Sequence, residues 1–567
     1  MSDRLLETLQ ERFGHAAFRG PQRAICEHLL AGGDAFVVMA TGDGKSLCYQ
    51  LPALLREGLT LVVSPLIALM EDQVLALRAR GIAASCVHSL LERGEREARL
   101  LAAERGELRL LYCTPERFRV PGFLDRMRAL RIALLAIDEA HCLSQWGHDF
   151  RPDYRNLGSV RAALGHPPTI ALTATATPAV QADVRQALGI ANAPLWHCGV
   201  ERKNLFLAVR EVNDREAKLA RVLEIVERVG GPGIVYFALI KELAAVETEL
   251  RKRGYDPLIY HGDLSASERK EQQARYIAAD DALILATNAF GMGVDKPDIR
   301  FIVHGQMPRT LEAYSQEIGR AGRDGRPALC ELLYFAEDLS VQREFTEWAN
   351  PSAEFMARVV AVLEDLGERA LAFDVDALRD KLLVKNRRDG RIDTCLRLLR
   401  TAGCFEGEFG RGSFRWLRSP GPAEIAAWLP DDKRERDLSA LLTLLRWCQG
   451  EDCRKRALHA YFGFADDFPT GCLCCDRELT SEAWLDAALP PASRVPIPRH
   501  EPRLGSAAAA DAPLQRGDWL DVQGHGLCAV VRVHRTTRGV MVDLERARDL
   551  QALSFPLGRL RWRKVES

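Results

Sequence analysis

Between Arg4 and Asn350 the chain keeps repeating one pattern, a short apolar run followed by a longer stretch of helical periodicity. The runs include AFVVMA, TLVVSP, LRLLYC, IALLAID, TIALTA, GIVYFA, ALILAT and IRFIVH. Apolar runs of about four to eight residues that do not alternate with polar ones suit strands covered on both faces. Parallel strands need a crossover between them, and the intervening amphipathic stretches supply it. The pattern therefore limits this part of the chain to parallel α/β sheets. It holds too many runs for one ordinary sheet and restarts after a polar stretch near Arg202–Lys218. Two successive α/β domains are expected, over residues 1–200 and 201–350.

Composition narrows the function classes. The 77 Lys+Arg and 78 Asp+Glu leave a net charge of -1, so no global basic field marks a nucleic-acid binder, and any such binding must come from local patches. Hydrophobic residues at 47% and charged residues at 27% are those of an ordinary globular protein, neither disordered nor fibrous. Apolar stretches such as LTLVVSPLIALM are broken by Ser and Pro and are too short to cross a bilayer. The charged start MSDRLLETLQERFG lacks the apolar core of an export signal, so a cytoplasmic location without membrane partners is expected. Most of the 15 cysteines stand alone, but Cys448, Cys453, Cys472, Cys474 and Cys475 cluster. In a reducing compartment such a cluster reads as metal binding before disulfides.

Beyond residue 350 the character changes. Helical stretches at about 353–370, 374–384 and Thr394–Ala402 precede CFEGEFGRGSFRWL, a hairpin pattern with a Gly-Arg-Gly tip. Three helices and a hairpin predict a winged-helix-like segment over 351–420. Residues 421–487 carry the cysteine cluster in a helical module. Residues 488–513, rich in Pro and Ala without periodicity, read as a linker. The strand-like runs DWLDVQ, CAVVRVH, GVMVDL, LQALSF and RLRWRKV predict a small SH3-like β barrel over 514–567.

The run AFVV leads directly into Met39-Ala-Thr41-Gly42-Asp43-Gly44-Lys45-Ser46. Gly42 and Gly44 let the backbone bend close to a polyphosphate, while loop amides and the next helix N-terminus supply positive partial charge. Lys45 suits the β and γ phosphates and Ser46 a Mg2+ ion, although Met39 replaces the first glycine of the full phosphate-loop pattern. Asp138-Glu139-Ala-His141 follows the strand IALLAI, where Asp138 suits the water shell of Mg2+ and Glu139 the attacking water. In Gln316-Glu-Ile-Gly-Arg320-Ala-Gly-Arg323, the two arginines are expected on one helical face, reaching a γ-phosphate from the second domain.

Together these segments resemble superfamily 2 helicases, and more narrowly the RecQ family of DNA helicases, across about residues 1–350. The resemblance implies two tandem RecA-like domains using ATP and Mg2+, with Lys45, Asp138, Glu139, His141, Gln316, Arg320 and Arg323 in the hydrolytic machinery. Phe13-Gly14 and Phe18-Arg19-Gly-Pro-Gln22 are similar to the family's adenine-reading segment. There Gln22 holds the base edge and Arg19 stacks on it, while His15 stands in place of a larger aromatic. Thr41, Gly42, Asp43, Gly44, Lys45, Ser46 and Asp295 complete the implied nucleotide site. Cys142-Leu-Ser-Gln145-Trp146-Gly-His148-Asp-Phe150-Arg151-Pro-Asp-Tyr154 resembles the aromatic-rich loop that couples single-stranded DNA to hydrolysis. Trp146 and Phe150 offer faces on which any base can stack, and Arg151 a phosphate partner. Ser64-Pro65, Thr114 and Thr287 match positions lining the backbone track, where small hydroxyls and amides touch phosphates without reading bases.

Cys453, Cys472 and Cys475 look like three ligands of the family's Zn2+ module, with Cys472-x-x-Cys475 at good ligand spacing and Cys453 on the preceding helix. Glu478 occupies the position of the fourth cysteine, leaving Cys448 or Cys474 as the fourth ligand. The family places its winged helix after the zinc module, whereas here the winged-helix pattern comes first, and Arg411 and the basic run Arg559-x-Arg561-Trp562-Arg563-Lys564 are candidate duplex contacts. The implied activity is 3′-to-5′ travel on single-stranded DNA coupled to unwinding of forked or duplex DNA, in recombination and repair, by a monomer in the cytoplasm or nucleoid. The rival readings are a translocase that remodels complexes without separating strands, and a non-enzymatic nucleic-acid scaffold.

Overall fold

The computed structural model describes residues 2–40, 42–144, 146–147, 151–197, 202–291, 294–372, 375–382, 389–407, 409, 413–429, 431–465, 472, 474–491, 494–499, 519–522, 526–536, 539–546, 552–556 and 562–565. Residues 1–246 and 257–497 make one compact unit, and 247–256 with 498–567 make a second.

The first sheet of unit one contains β1 (Ala35–Val38), β2 (Leu59–Val63), β3 (Ala84–Val87), β4 (Leu110–Cys113), β5 (Ile132–Ile137), β6 (Thr169–Thr173) and β7 (Leu195–His197). They lie in the order β3-β4-β2-β5-β6-β1-β7, with every pairing parallel. Successive side chains point to opposite faces: Phe36 and Val38 enter one apolar cluster, Ala35 and Val37 the other. Both faces are covered, which is why these strands read as unbroken apolar runs. Each fully buried Val, Leu or Phe contributes roughly 1.5–3 kcal/mol of transfer free energy.

The second sheet contains β8 (Leu205–Glu211), β9 (Gly233–Tyr236), β10 (Leu258–Tyr260), β11 (Leu283–Ala286), β12 (Phe301–His304) and β13 (Ala328–Tyr334). Its order is β10-β11-β9-β12-β13-β8, again all parallel. The polar stretch expected to separate the domains thus contains a strand of its own. Leu205, Phe206, Leu207 and Ala208 are buried there, while Arg210 and Glu211 project from its outer end.

After the helix Asp338–Ala349 come the helices Ala353–Leu366, Val375–Lys381 and Arg391–Thr401, then the antiparallel pair β14 (Phe405–Glu406) and β15 (Arg415–Trp416). Phe355, Val359, Leu363, Leu399, Phe405 and Phe414 share one core. Ile425, on the next helix Pro422–Trp428, joins that core, so the segment expected to end at residue 420 continues to Leu429. The long helix Asp431–Gln449 then leads to the helices Arg454–Tyr461 and Ser481–Ala488. The stretch expected to be a linker from 488 is partly docked. Gly231 N–H donates to the Val495 carbonyl at 2.9 Å, and Ile497 is buried; residues 500–513 lie outside the described residues.

In unit two, β16 (Trp519–Val522), β17 (Gly526–Thr536), β18 (Gly539–Arg546), β19 (Ala552–Pro556) and β20 (Trp562–Val565) form an antiparallel sheet in the order β19-β18-β17-β16-β20. Leu520, Val522, Cys528, Val530, Val542 and Leu544 supply its core. No helix among the described residues is long and apolar enough to cross a membrane.

Candidate nucleotide cleft and cysteine cluster

The phosphate loop leaves the C-terminal end of β1, and the two acids leave that of β5; β6 lies between these strands. Open parallel sheets bind ligands at such ends. Gly42 and Gly44 have φ of 95° and 79°, conformations that side-chain-bearing residues rarely adopt. Lys45 Nζ donates to the Met39 carbonyl at 3.2 Å, and Ser46 Oγ accepts from Gln73 Nε2 at 3.3 Å. Gln22 is buried, and its Nε2 donates to the carbonyls of Asp43 (3.0 Å) and Gly44 (3.2 Å) while its Oε1 accepts from Arg19 N–H. The side chain expected to read a base edge is therefore also the brace of the phosphate loop. Arg19 and His15 are exposed.

Asp138 is buried, and its Oδ1 accepts the Glu139 N–H at 3.0 Å. Burial first, then the charge of Glu139, pushes its carboxyl up to about 7, with Lys45 acting the other way. A divalent ion at this carboxylate would hold it ionised. Glu139 sits at φ 48°, an unusual backbone conformation for a non-glycine residue of the sort that recurs at active sites. His141 is buried, its Nδ1 2.9 Å from Thr173 Oγ1 and 3.3 Å from Glu139 Oε2, which ties the acids to the end of β6.

The second-lobe arginines differ from expectation in their setting. The helix Leu311–Ile318 ends before them, because Gly319 caps it and the chain turns through Gly322 at φ 53°. Arg320 and Arg323 thus project from a glycine-rich turn and not from one helical face. Both are sequestered: Arg320 is 4% exposed, and the Arg323 side chain 10%. Gln316 stays half-buried on the helix itself. A Cβ placed on Gly42 would meet Arg323 Cγ at 3.0 Å, so the second lobe touches the phosphate loop. Asp295, itself 82% exposed, accepts from Arg323 Nη1 at 2.5 Å. Burial lowers the Arg323 pKa, against the pull of Asp295. The Nε atoms of both arginines are buried without a hydrogen-bond partner, as are Ser64 Oγ and Thr175 Oγ1. The buried, unsatisfied donor of Arg323, whose stem packs on Gly42 of the phosphate loop, fits a polyanionic nucleotide.

Two contributors were given no role in the sequence reading. Arg202, just before β8, donates to the carbonyls of Ala321 and Gly322 and lies close enough to Asp43 to act on its charge. Burial raises the Asp43 pKa, opposed by Arg202, Lys45 and Arg19. Gln73, on the helix Ile67–Ala79, bridges Ser46 to the Tyr49 hydroxyl. Arg202 lies at a domain join, and Gln73 closes the family-like stretch from Ser64 on the helix Ile67–Ala79, where its bridging role depends on the distant Ser46 and Tyr49.

Ser64-Pro65, Thr114 and Thr287 follow β2, β4 and β11, at the C-terminal ends of the sheets; Ser64, Thr114 and Thr287 are buried. Of the aromatic loop, Trp146 is 53% exposed and Arg436 lies over its ring at 4.6 Å. Arg151 Nη1 donates to the Pro65 carbonyl at 3.1 Å, joining this loop to the segment after β2. Thr41, Gln145, His148, Phe150, Arg411, Arg559 and Arg561 lie outside the described residues.

Three thiols converge. The Sγ atoms of Cys453 and Cys472 are 3.2 Å apart, those of Cys472 and Cys475 3.5 Å, and those of Cys475 and Cys453 3.7 Å. Sulfurs sharing one tetrahedral Zn2+ at about 2.3 Å stand close to this spacing, so the three fit the ion. Cys448 is not part of the group. The helix carrying it ends at Gln449 and Cys453 starts the next, so the two cysteines share no helical face. Cys474 is turned away as well, its thiol donating to the Lys203 carbonyl at 3.3 Å. Arg454, fully buried, pairs with Asp476 at 2.9 Å and donates to the carbonyls of Trp447 and Cys448. The turn is stitched to β8: Leu207 N–H donates to the Cys474 carbonyl and Asp476 N–H to the Leu207 carbonyl, each at 3.0 Å.

A nucleotide site completed by a second parallel sheet is the arrangement of a superfamily 2 helicase motor. Residues 19–184 match the DEAD/DEAH box helicase family, and 217–325 match the helicase conserved C-terminal domain. Over 382 residues the chain is 44% identical to a Bacillus subtilis protein named probable ATP-dependent DNA helicase RecS, covering 67% of this chain and 76% of that protein. It is 42% identical to the ATP-dependent DNA helicase RecQ of Bacillus subtilis, covering 61% of this chain and 59% of the relative. It is also 40% identical to the RecQ-like DNA helicase blm-1 of Caenorhabditis elegans, covering 68% of this chain but 40% of that longer protein. The chain belongs to the RecQ family of superfamily 2 helicases.

Proposed function

We propose that the chain is an ATP-dependent DNA helicase that moves 3′ to 5′ along one strand and opens forked or duplex DNA, serving recombination and repair. The observation that carries this reading is the seating of Arg323 against Gly42, which makes hydrolysis a joint property of two lobes. In this reading Lys45 and the loop amides hold the β and γ phosphates, Glu139 orients the attacking water, and His141, anchored by Thr173, steadies Glu139. Arg320 and Arg323 neutralise charge developing on the transferred phosphoryl group. Mg2+, held by Ser46 and Asp138, supplies further neutralisation when bound. Losing the γ-phosphate removes the group that both lobes grip, so the cleft opens and the strand track after β2, β4 and β11 shifts relative to itself.

Trp146 and the rest of its loop would take stacked bases, with the path from Arg151 to Pro65 linking base occupancy to the strand track. Zn2+ would be held by Cys453, Cys472 and Cys475 and would stiffen the helical module packed on β8. The helices and hairpin of 351–429 suit a winged helix, and the strand order of unit two suits an SH3-like barrel. A monomer in the cytoplasm or nucleoid completes the proposal. Strand release from a labelled fork, with Lys45→Ala as control, tests it; DNA-stimulated ATP turnover without release would favour a remodelling translocase.

A further inference from the structure

We propose that Arg202 is a positioning residue for hydrolysis, gripping the turn between Arg320 and Arg323 and holding it in register with Asp43 of the phosphate loop; this rests on the reading of the two lobes as an ATP-driven motor. Its Nη2 donates to the carbonyls of Ala321 (3.1 Å) and Gly322, the residues between the two arginines. Asn204 works on the same turn, its Nδ2 donating to the carbonyls of Gly322 (2.7 Å) and Arg326 (2.8 Å). A turn that runs through Gly322 at φ 53° has little stiffness of its own. Bonds from Arg202 and Asn204 therefore set the direction in which Arg320 and Arg323 leave it, and those from a guanidinium are charge-assisted.

The holding segment is itself anchored. The Arg202 carbonyl accepts from the Leu205 N–H at 3.0 Å and from Lys455 Nζ at 2.8 Å, and Lys455 is buried on the helix Arg454–Tyr461. A backbone fixed in this way presents its guanidinium with little ordering left to do. Burial lowers the Arg202 pKa, and Asp43 heads the charged groups that oppose it; burial raises the Asp43 pKa, and Arg202 heads the charges that oppose that. A cation fixed to the arginine turn thus stands against an anion of the phosphate loop, whose carbonyl Gln22 braces at 3.0 Å. Arg323 packs on the neighbouring Gly42, so the register of turn and loop is also the register of Arg323. Misplacing a group that acts in the transition state by about 1 Å can cost about a hundredfold in rate.

Single-turnover hydrolysis of ATP by the full chain, with saturating single-stranded DNA, tests the assignment. Arg202→Gln should slow hydrolysis about ten- to a hundredfold, while the ATP concentration for half-saturation shifts less than about threefold. In a background carrying both Arg320→Ala and Arg323→Ala, the same change should cost less than about threefold, because the turn no longer carries the groups it positions. A side chain that binds the nucleotide directly would raise the half-saturating concentration, and a merely structural one would cost as much in either background; each result overturns the proposal. Should Arg202→Gln fail to fold, Arg202→Lys, which keeps the charge on a shorter arm, should show the same split between rate and half-saturation. A parent chain without DNA-stimulated ATP turnover would instead sink the motor reading beneath it.

Discussion

Arg323 lays the stem of its side chain across Gly42, with Cγ 3.0 Å from where a Cβ would stand, while its guanidinium is held by Asp295 and the Val294 carbonyl. The glycine is required twice over, by its φ of 95° and by this contact. Gly42→Ala should add about 1–3 kcal/mol of strain to the closed cleft and slow ATP turnover about ten- to a hundredfold. Arg323→Ala should cost on the order of a thousandfold in turnover while nucleotide binding changes little. Steady-state hydrolysis and binding of a fluorescent nucleotide check both.

Trp146 offers a half-exposed face that Arg436 covers. Trp146→Ala should weaken single-strand binding by about 1–3 kcal/mol and leave DNA-independent hydrolysis intact. A base stacking there must displace the guanidinium, a contact worth about 0.5–1 kcal/mol. Arg436→Gln should therefore tighten binding up to about fivefold. Anisotropy titrations with a labelled oligonucleotide at fixed salt measure both effects.

Arg454 and Asp476 form a buried pair on which the cysteine turn, β8 and the end of the helix Asp431–Gln449 converge. Arg454→Ala leaves the partly buried Asp476 carboxylate without its cation, held only by the Val209 N–H, and should cost about 2–3 kcal/mol in urea denaturation. Replacing both partners by apolar residues of similar volume should restore much of that loss.

Acid should loosen the helix Ser481–Ala488 from the second sheet. Glu482 receives hydrogen bonds from Arg210 at 2.5 Å and Arg221 at 3.0 Å, beside Glu331 and Ser481. Burial works to raise its pKa, but a backbone N–H and the two arginines outweigh burial and lower it. A depressed carboxylate adds stability that is fully present above its unfolded value, about 4.3, and is lost as pH falls through the lower folded value. Glu482→Gln should thus be less stable than the parent at neutral pH, and the gap should begin to narrow only as pH falls below about 4.3. Thermal midpoints across that range measure it.

The eight apolar runs read as strands all form strands, because burial on both faces writes itself into consecutive residues. β3, β7, β8, β10 and β13 were harder to see. β13 carries Glu331, fully buried against Arg221, and β3 carries Ser85, so partners elsewhere in the fold make these positions apolar in effect. The nucleotide site was legible because a phosphate loop and an Asp-Glu pair are local chemistry. Arg202 was not, since its role depends on a loop from the other sheet. The helical face assigned to Arg320 and Arg323 failed because Gly319 ends the helix. Cys448 failed as a ligand because the chain between it and Cys453 breaks at Gly450, and spacing along a helix means nothing across a break.

The parallel bridge between Leu207 and Cys475 places the cysteine turn along β8, the outermost strand of its sheet. An uncovered outer strand is a template for pairing with another chain. Unravelling that turn would bare the amides and carbonyls of β8, so on the proposed metal site a chelated sample should self-associate through this edge.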